Sequence, residues 1–185
     1  RVCRLDGSLV AERKLASFQV MSLSFAPDKQ ELWAGSRTIY VLDPQNGNVL
    51  RTIDPRNGTC RALVHDRDGS VIAGGWWRID RYRGEAPAEP IALQDCSKFD
   101  INREKDLLVT KRARAGLDLI DLGNRDILPL GKDSGAVAQA TNGQRAIAFA
   151  NLDVVRYDLR TGREDRRMAI KRRGQLMGKR EFRHS

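Results

Sequence analysis

The chain has 185 residues and a mass of 20.8 kDa, a length that corresponds to one large or two small domains. Its content of 41% hydrophobic, 31% charged and 6% aromatic residues is typical of a globular rather than a disordered protein. It contains no run of 18 apolar residues, no apolar leader and only three scattered cysteines, so we expect no membrane span and no disulfide scaffold. The first residue is Arg1, which predicts a piece of a longer chain.

Short apolar strands separated by polar turns follow one another along the chain, and the pattern repeats. Two strands come first, at 2–6 and 9–13. Four copies of a strand-turn-strand-turn-strand-turn-strand unit follow. Their predicted strands are 18–25, 31–35, 38–43 and 48–53; 60–64, 70–74, 77–82 and 89–93; 96–101, 106–110, 116–121 and 126–130; and 135–140, 145–150, 152–158 and 164–168.

The spacing of the copies predicts the fold class. Matched positions in the second strands, Leu32, Val71, Leu107 and Ala146, are 39, 36 and 39 residues apart. Four antiparallel strands in about 38 residues is the unit of a β-propeller blade. We therefore predict an all-β propeller over 1–170, with a half blade at 1–16 and blades at about 17–55, 56–93, 94–131 and 132–170. The remainder, 171–185, is a basic tail or the start of a further blade.

The predicted blades do not supply all the strands that a closed ring requires. The half blade lacks its two inner strands, and the basic segment after 170 offers only one short apolar patch at 174–178. A partial ring leaves a sheet edge exposed. We therefore expect a fragment of a larger propeller, whose missing blades come from the same or another chain.

One stretch carries a family resemblance. The sequence at 25–35, Phe-Ala-Pro-Asp-Lys-Gln-Glu-Leu-Trp-Ala-Gly, resembles the corresponding stretch of WD-repeat and quinoprotein-like propellers. The aspartate that ends four third strands is similar to the aspartate of the family's Trp-Asp dipeptide, although Leu, Ile or Tyr replaces the tryptophan and the Gly-His dipeptide is absent. The resemblance implies propeller architecture and no particular activity. Similar propellers are often attached to signalling or effector domains, including caspase-like proteases and NTPases.

Those aspartates are predicted to be structural. Aspartate side chains accept hydrogen bonds from backbone N–H groups in a following turn. We expect this role, rather than catalysis, for Asp6, Asp43, Asp121 and Asp158.

A candidate partner surface lies in the loops between second and third strands, which share one face of a propeller with the blade connections. Neighbouring residues of a strand point to opposite sides, so one of Trp76 and Trp77 is expected in the core and the other exposed. An exposed tryptophan near arginines is typical of a binding hot spot. The alternative is packing between blades. The predicted partner-binding residues are Arg37, Trp76, Trp77, Arg112 and Arg114.

The net charge of +9 is concentrated near the C-terminal end. Between 163 and 183 we count nine basic and three acidic residues, a balance of +6. Such a segment could bind nucleic acid or another anionic surface, or it could be a solvated tail. The residues assigned to it are Arg166, Arg167, Lys171, Arg172 and Arg173.

Catalytic signatures are not evident. The only histidines are His65 and His184, and no metal-ligand spacing, phosphate loop or nucleophile motif occurs. We expect no cofactor and no metal, and the odd, scattered cysteines indicate a reducing, cytoplasmic location. The predicted function is a non-catalytic scaffold that binds a protein partner. Nucleic-acid binding through the basic segment and a propeller enzyme of lactonase or quinoprotein type remain the alternatives.

Overall fold

The fold is all-β, as the sequence predicts. The computed structural model describes residues 2–3, 9–12, 15, 19–28, 30–56, 58–84, 86–102, 106–112, 116–131, 137–139, 144–150 and 153–169. Every regular element among them is a strand. These strands form four antiparallel four-stranded sheets and one two-stranded sheet. We find no helical segment with the length and hydropathy of a bilayer-spanning one in this part of the chain.

The strands of the N-terminal half follow the predicted order. The two-stranded sheet contains β1 (Val2–Cys3) and β2 (Leu9–Ala11). The first four-stranded sheet contains β3 (Ser22–Phe25), β4 (Leu32–Gly35), β5 (Ile39–Leu42) and β6 (Val49–Ile53). The second contains β7 (Ala62–His65), β8 (Val71–Gly74), β9 (Ile79–Tyr82) and β10 (Glu89–Ala92).

The C-terminal half repeats the same unit twice. The third sheet contains β11 (Lys98–Asn102), β12 (Leu107–Arg112), β13 (Gly116–Asp121) and β14 (Ile127–Gly131). The fourth contains β15 (Val137–Gln139), β16 (Arg145–Ala150), β17 (Asp153–Asp158) and β18 (Glu164–Ala169). In all four sheets each strand pairs with the next one along the chain, which is a simple antiparallel meander.

The four-stranded sheets stack side by side, as propeller blades do. The first strands β3, β7, β11 and β15 lie against one another in chain order. Between each two consecutive sheets lies one apolar core, built from side chains of both. Trp33, Ile39 and Val41 of the first sheet, for example, meet Val71 and Tyr82 of the second. Similar cores join the second sheet to the third and the third to the fourth. Burial between sheets is therefore the main stabilising contribution, since one sheet alone leaves both faces in water.

A glycine and a cysteine form the same joint at two successive sheet boundaries. Gly35 ends β4 and Gly74 ends β8, and a Cβ atom added there would lie 2.8 Å from the Sγ atoms of Cys60 and Cys96, respectively. The backbone N–H of each cysteine donates to the preceding loop, Cys60 to Ser36 O at 2.8 Å and Cys96 to Gly75 O at 2.7 Å. Each cysteine thus packs the start of one sheet onto the end of a second strand in the sheet before it.

The position of these thiols predicts low reactivity. Cys60 and Cys96 are fully buried, and burial raises the pKa of Cys60 to about 12 and raises that of Cys96 as well. The thiolate is the reactive form. At about pH 8, near the ordinary thiol pKa, we expect iodoacetamide to modify both cysteines only after unfolding, as measured by peptide mass spectrometry. Rapid modification of either cysteine in the folded chain would contradict their burial between the sheets.

The turns after the third strands of the first, third and fourth sheets share one geometry. The backbone N–H of Gly47 donates to Asp43 O and that of Gly162 to Asp158 O, each at 2.8 Å. The residue that closes this turn has a positive φ, 72° at Gly47 and 68° at Gly162, and Arg125 takes the same role in the third sheet with φ 67°. Glycine adopts this left-handed conformation without steric cost, whereas a side chain such as that of Arg125 is unfavourable there.

The series of sheets is open among the strands that the structure describes. The first sheet is covered on the side of the second sheet but only partly on the other side. On that other side, Leu23 and Phe25 of β3 are 61% and 57% exposed. The sheets therefore form a blade-like stack with an exposed apolar face at one end.

Candidate functional site

The two adjacent tryptophans lie in a short loop, here named the tryptophan loop (residues 75–78), which joins β8 to β9. The Gly75 N–H donates to Arg78 O at 3.1 Å and closes the loop. Trp76 is 43% exposed and Trp77 is 66% exposed, with ring centroids 6.5 Å apart and planes tilted by 38°. The loop therefore presents a continuous aromatic surface to solvent.

The expectation that one tryptophan is in the core is wrong. It assumed that Trp77 begins the third strand, where neighbouring side chains alternate between faces. The structure starts β9 at Ile79, two residues later. Both tryptophans therefore belong to the loop, where strand alternation does not apply, and both are exposed.

Contacts on either side hold the aromatic pair in place. The guanidinium carbon of Arg61 lies 4.3 Å from the centroid of the Trp76 ring, a cation–π contact. Trp77 approaches the backbone at Gly58, where an added Cβ would lie 3.0 Å from the indole Nε1. The positive φ of Gly58, 82°, is a second reason for glycine at this position. The exposed rings are thus supported by the connection that precedes β7.

A buried ion pair fixes the base of the tryptophan loop. Arg78, directly after Trp77, donates from Nε to Asp80 Oδ1 at 2.6 Å. The Asp80 side chain is completely buried and that of Arg78 is 23% exposed. Burial raises the pKa of Asp80, and the hydrogen bond and positive charge of Arg78 oppose that rise. A buried carboxylate requires such a partner, so Arg78 is held in place and the loop with it.

The predicted arginines are placed differently from one another. Arg112 forms an ion pair with the buried Asp118, Nε to Oδ2 at 2.8 Å, so its charge is engaged within the chain. Arg37 is exposed in the loop between β4 and β5. Arg114 lies outside the described residues. The cation that contacts a tryptophan is Arg61, which the sequence analysis did not select because it falls in the predicted first strand 60–64, outside the loops between second and third strands.

A second feature near Arg61 was also missed. A cavity of about 490 Å³, here named the cation cavity, lies where the first strands of the first three sheets meet. Arg61, Lys98 and Lys111 line it together with apolar side chains. The order of the strands indicates only that the two lysines lie at one sheet edge, since Lys98 begins a first strand and Lys111 is close to the end of the second strand that pairs with it. Ends of antiparallel neighbours lie at the same sheet edge.

The turn aspartates hold backbone groups. Asp43 Oδ1 accepts from the Gln45 N–H at 2.7 Å, Asp121 Oδ1 from the Gly123 N–H at 2.8 Å, and Asp158 Oδ1 from the Arg160 N–H at 2.9 Å. Asp6 lies outside the described residues. These bonds satisfy N–H groups that the turn leaves unpaired within the sheet.

The basic segment is only partly described. Arg166 and Arg167 lie on the outer strand β18, whereas Lys171, Arg172 and Arg173 lie outside the described residues. Arg167 pairs with two carboxylates, Glu164 at 2.7 Å and Asp153 at 3.1 Å. Part of the positive charge is therefore compensated within the fourth sheet, and binding of nucleic acid by this segment stays a prediction.

His65 has a structural environment. It is 1% exposed, its Nδ1 lies 2.8 Å from Ser24 Oγ, and its ring meets that of Trp33 edge-on at 5.6 Å. The hydroxyl also accepts from the His65 backbone N–H at 3.2 Å, so it links the first strands of two sheets. Among the described residues, no three His, Cys, Asp or Glu side chains form a group able to hold a metal ion.

Comparison with known proteins adds no assignment, since no protein-family model and no curated protein matches the chain. The candidate functions therefore rest on geometry. The described surface offers an exposed aromatic pair, an arginine stacked on it, and a neighbouring cavity lined by cations. Tryptophan and arginine side chains are enriched at binding hot spots.

Proposed function

We propose that this chain is a non-catalytic interaction scaffold of the WD-repeat-like propeller type, which binds a protein partner through the tryptophan loop. The observation that carries the proposal is the exposure of Trp76 and Trp77 side by side. Large aromatic side chains are normally buried in a folded protein, and tryptophan and arginine are enriched at interface hot spots.

The preorganisation of the tryptophan loop supports the same proposal. Arg61 stacks on Trp76, Gly58 lies against Trp77, and the Arg78–Asp80 pair anchors the loop. A side chain that is already ordered loses less conformational entropy when a partner binds. Rigid aromatic rings on an anchored loop therefore favour recognition of a protein surface.

We also propose that the scaffold is one part of a larger assembly in the cytoplasm. The resemblance at 25–35 supports a module of a larger signalling or effector protein, and the exposed Leu23 and Phe25 support further blades beside the first sheet, from the same chain or another. The buried, unpaired thiols of Cys60 and Cys96 are compatible with a cytoplasmic location.

The test is affinity capture with the immobilised 185-residue chain and with its Trp76→Ala/Trp77→Ala variant. We expect the double substitution to remove the specific partner, because truncating a hot-spot residue typically costs about 2 kcal/mol or more, roughly thirtyfold in affinity. Leu50→Ala is the matched control, since Leu50 is 53% exposed on the outer strand β6. Equal capture by the wild-type chain and the double variant would refute the proposal.

A further inference from the structure

The cation cavity brings three positive charges together, and none of the described residues that line it is acidic. Arg61, Lys98 and Lys111 line it, and its apolar wall includes Met21, Leu63 and Phe99. Among the described residues, none of the three cations has a carboxylate within ion-pair distance. Elsewhere most of the arginines on the sheets are paired, as Arg51 is with Glu31 and Arg81 with Asp66. The cavity thus gathers cations that lack the acidic partners of most arginines on the sheets.

The two lysines face each other across a strand pair. Lys98 of β11 and Lys111 of β12 are direct partners in the antiparallel register. Side chains of directly opposed residues lie on the same face with Cβ atoms about 5 Å apart, and like charges in that position are destabilising. The fold thus places two ammonium groups where their repulsion lowers stability, and an anion between them would remove the repulsion.

Arg61 lines the same cavity and also carries two buried donors without acceptors. Its Nε and Nη1 atoms are buried, and neither has a hydrogen-bond partner among the described residues. Buried guanidinium N–H groups without acceptors are unfavourable. The stacking of Arg61 on Trp76 holds the group at the cavity while leaving these donors free.

We propose that the cation cavity binds a phosphate monoester group. A dianion with three acceptor oxygens matches three neighbouring cations better than a single carboxylate does, and arginine binds phosphate with two parallel hydrogen bonds. The apolar wall would contact the carbon atoms of the carrier. The phosphate could belong to a small organic phosphate or to a phosphorylated side chain of a protein. The site does not depend on the scaffold proposal and would stand if Trp76 and Trp77 bound no protein.

Isothermal titration of the full chain with phenyl phosphate, and with a capped peptide carrying one phosphoserine, tests the site. We expect saturable binding of one ligand per chain and none of phenol or the unphosphorylated peptide. Arg61→Met, Lys98→Met and Lys111→Met should each weaken binding by about tenfold or more, since a hydrogen bond to a charged group contributes about 1.5 kcal/mol or more. Tighter binding of the phosphoserine peptide than of phenyl phosphate would identify a phosphorylated protein as the source of the phosphate. Equal binding of the two would identify a small organic phosphate.

Arg163→Met is the matched control. It removes one positive charge from an exposed position beside the last turn of the fourth sheet, away from the cavity. Its affinity should equal that of the wild-type chain. The absence of saturable binding, or an equal loss in Arg163→Met, would overturn the proposal, because the attraction would then be absent or due only to net charge.

The variant Lys111→Glu shows whether phosphate binding is lost because the site is changed or because the chain unfolds. It converts the opposed lysines into an opposite-charge pair, so the thermal midpoint without ligand should rise by about 1–3 °C while phosphate binding disappears. A lower midpoint would contradict the opposition of Lys98 and Lys111 on which the site depends. Retained binding would equally overturn the assignment.

Discussion

Replacing Gly74 with alanine is expected to lower the free energy of unfolding by about 1–3 kcal/mol. The added methyl group would lie 2.8 Å from Cys96 Sγ, 2.9 Å from Cys96 Cβ and 3.0 Å from Phe99 Cε1. These atoms belong to the packed joint between the second and third sheets, so the joint must open to accept the methyl group. Urea unfolding monitored by circular dichroism measures the change.

A double-mutant cycle shows whether the cost arises at this joint. Cys96→Gly removes both of the cysteine atoms that the new methyl group would meet. In that background Gly74→Ala should cost less than in the wild-type chain, by about 0.5 kcal/mol or more, since directly contacting residues are coupled. Strictly additive costs would mean that Gly74 and Cys96 do not pack against each other.

The largest effect is expected for Arg78→Met. The substitution leaves the buried Asp80 without its hydrogen-bonded cation, although the weaker attraction of Arg56 remains, and removing one partner of a buried ion pair costs about 3–5 kcal/mol. Because the Arg78 side chain is 23% exposed, we expect the lower end of that range, about 3 kcal/mol near neutral pH. The measurement is the free energy of unfolding in urea as a function of pH.

The pH dependence identifies Asp80 as the cause. Burial raises the pKa of Asp80 above its ordinary value of 3.8, and loss of Arg78 raises it further. An acid whose pKa is raised on folding contributes stability below its unfolded pKa and loses it as pH rises through the folded pKa. The difference between Arg78→Met and the wild-type chain should therefore be full near neutral pH and shrink toward about pH 4.

The double variant Arg78→Met/Asp80→Asn is the control for this prediction. It removes both charges together, so it should recover much of the lost stability, and its difference from the wild-type chain should vary less with pH. Other carboxylates with shifted pKa values, such as Glu31 and Asp68, are common to all chains and cancel in the difference. If Arg78→Met lost as much free energy of unfolding at about pH 4 as at neutral pH, the charge of Asp80 would not be the cause of the loss.

The sheets could be predicted from sequence because each strand carries its own local signal. Apolar alternation and turn residues recur with the blade spacing, and predicted strands such as 116–121 and 145–150 match β13 and β16. Errors occur at strand ends, where the signal is weakest. The predicted third strand 77–82 includes Trp77, whereas the Gly75–Arg78 hydrogen bond keeps that residue in the loop and β9 begins at Ile79.

The site could be predicted only in part because its contacts join residues far apart in the chain. The position of Trp76 and Trp77 between two strands predicts a loop residue only in part, whereas the structure places both in the loop and exposes both. Neither the stacking of Arg61 on Trp76 nor the pairing of Arg112 with Asp118 has a local signal. The opposed lysines follow from the register of two strands, which residue type alone does not fix.

The indole N–H signals of the three tryptophans test the central claim most directly. Trp33 is an internal reference, since it is 3% exposed and its Nε1 donates to Glu31 Oε2 at 2.8 Å. In a ¹⁵N–¹H spectrum of the full chain, titrated with the partner captured by the wild-type bait, we predict that the signals of Trp76 and Trp77 shift or broaden while that of Trp33 stays in place. Binding of the partner with both loop signals unchanged would contradict the account.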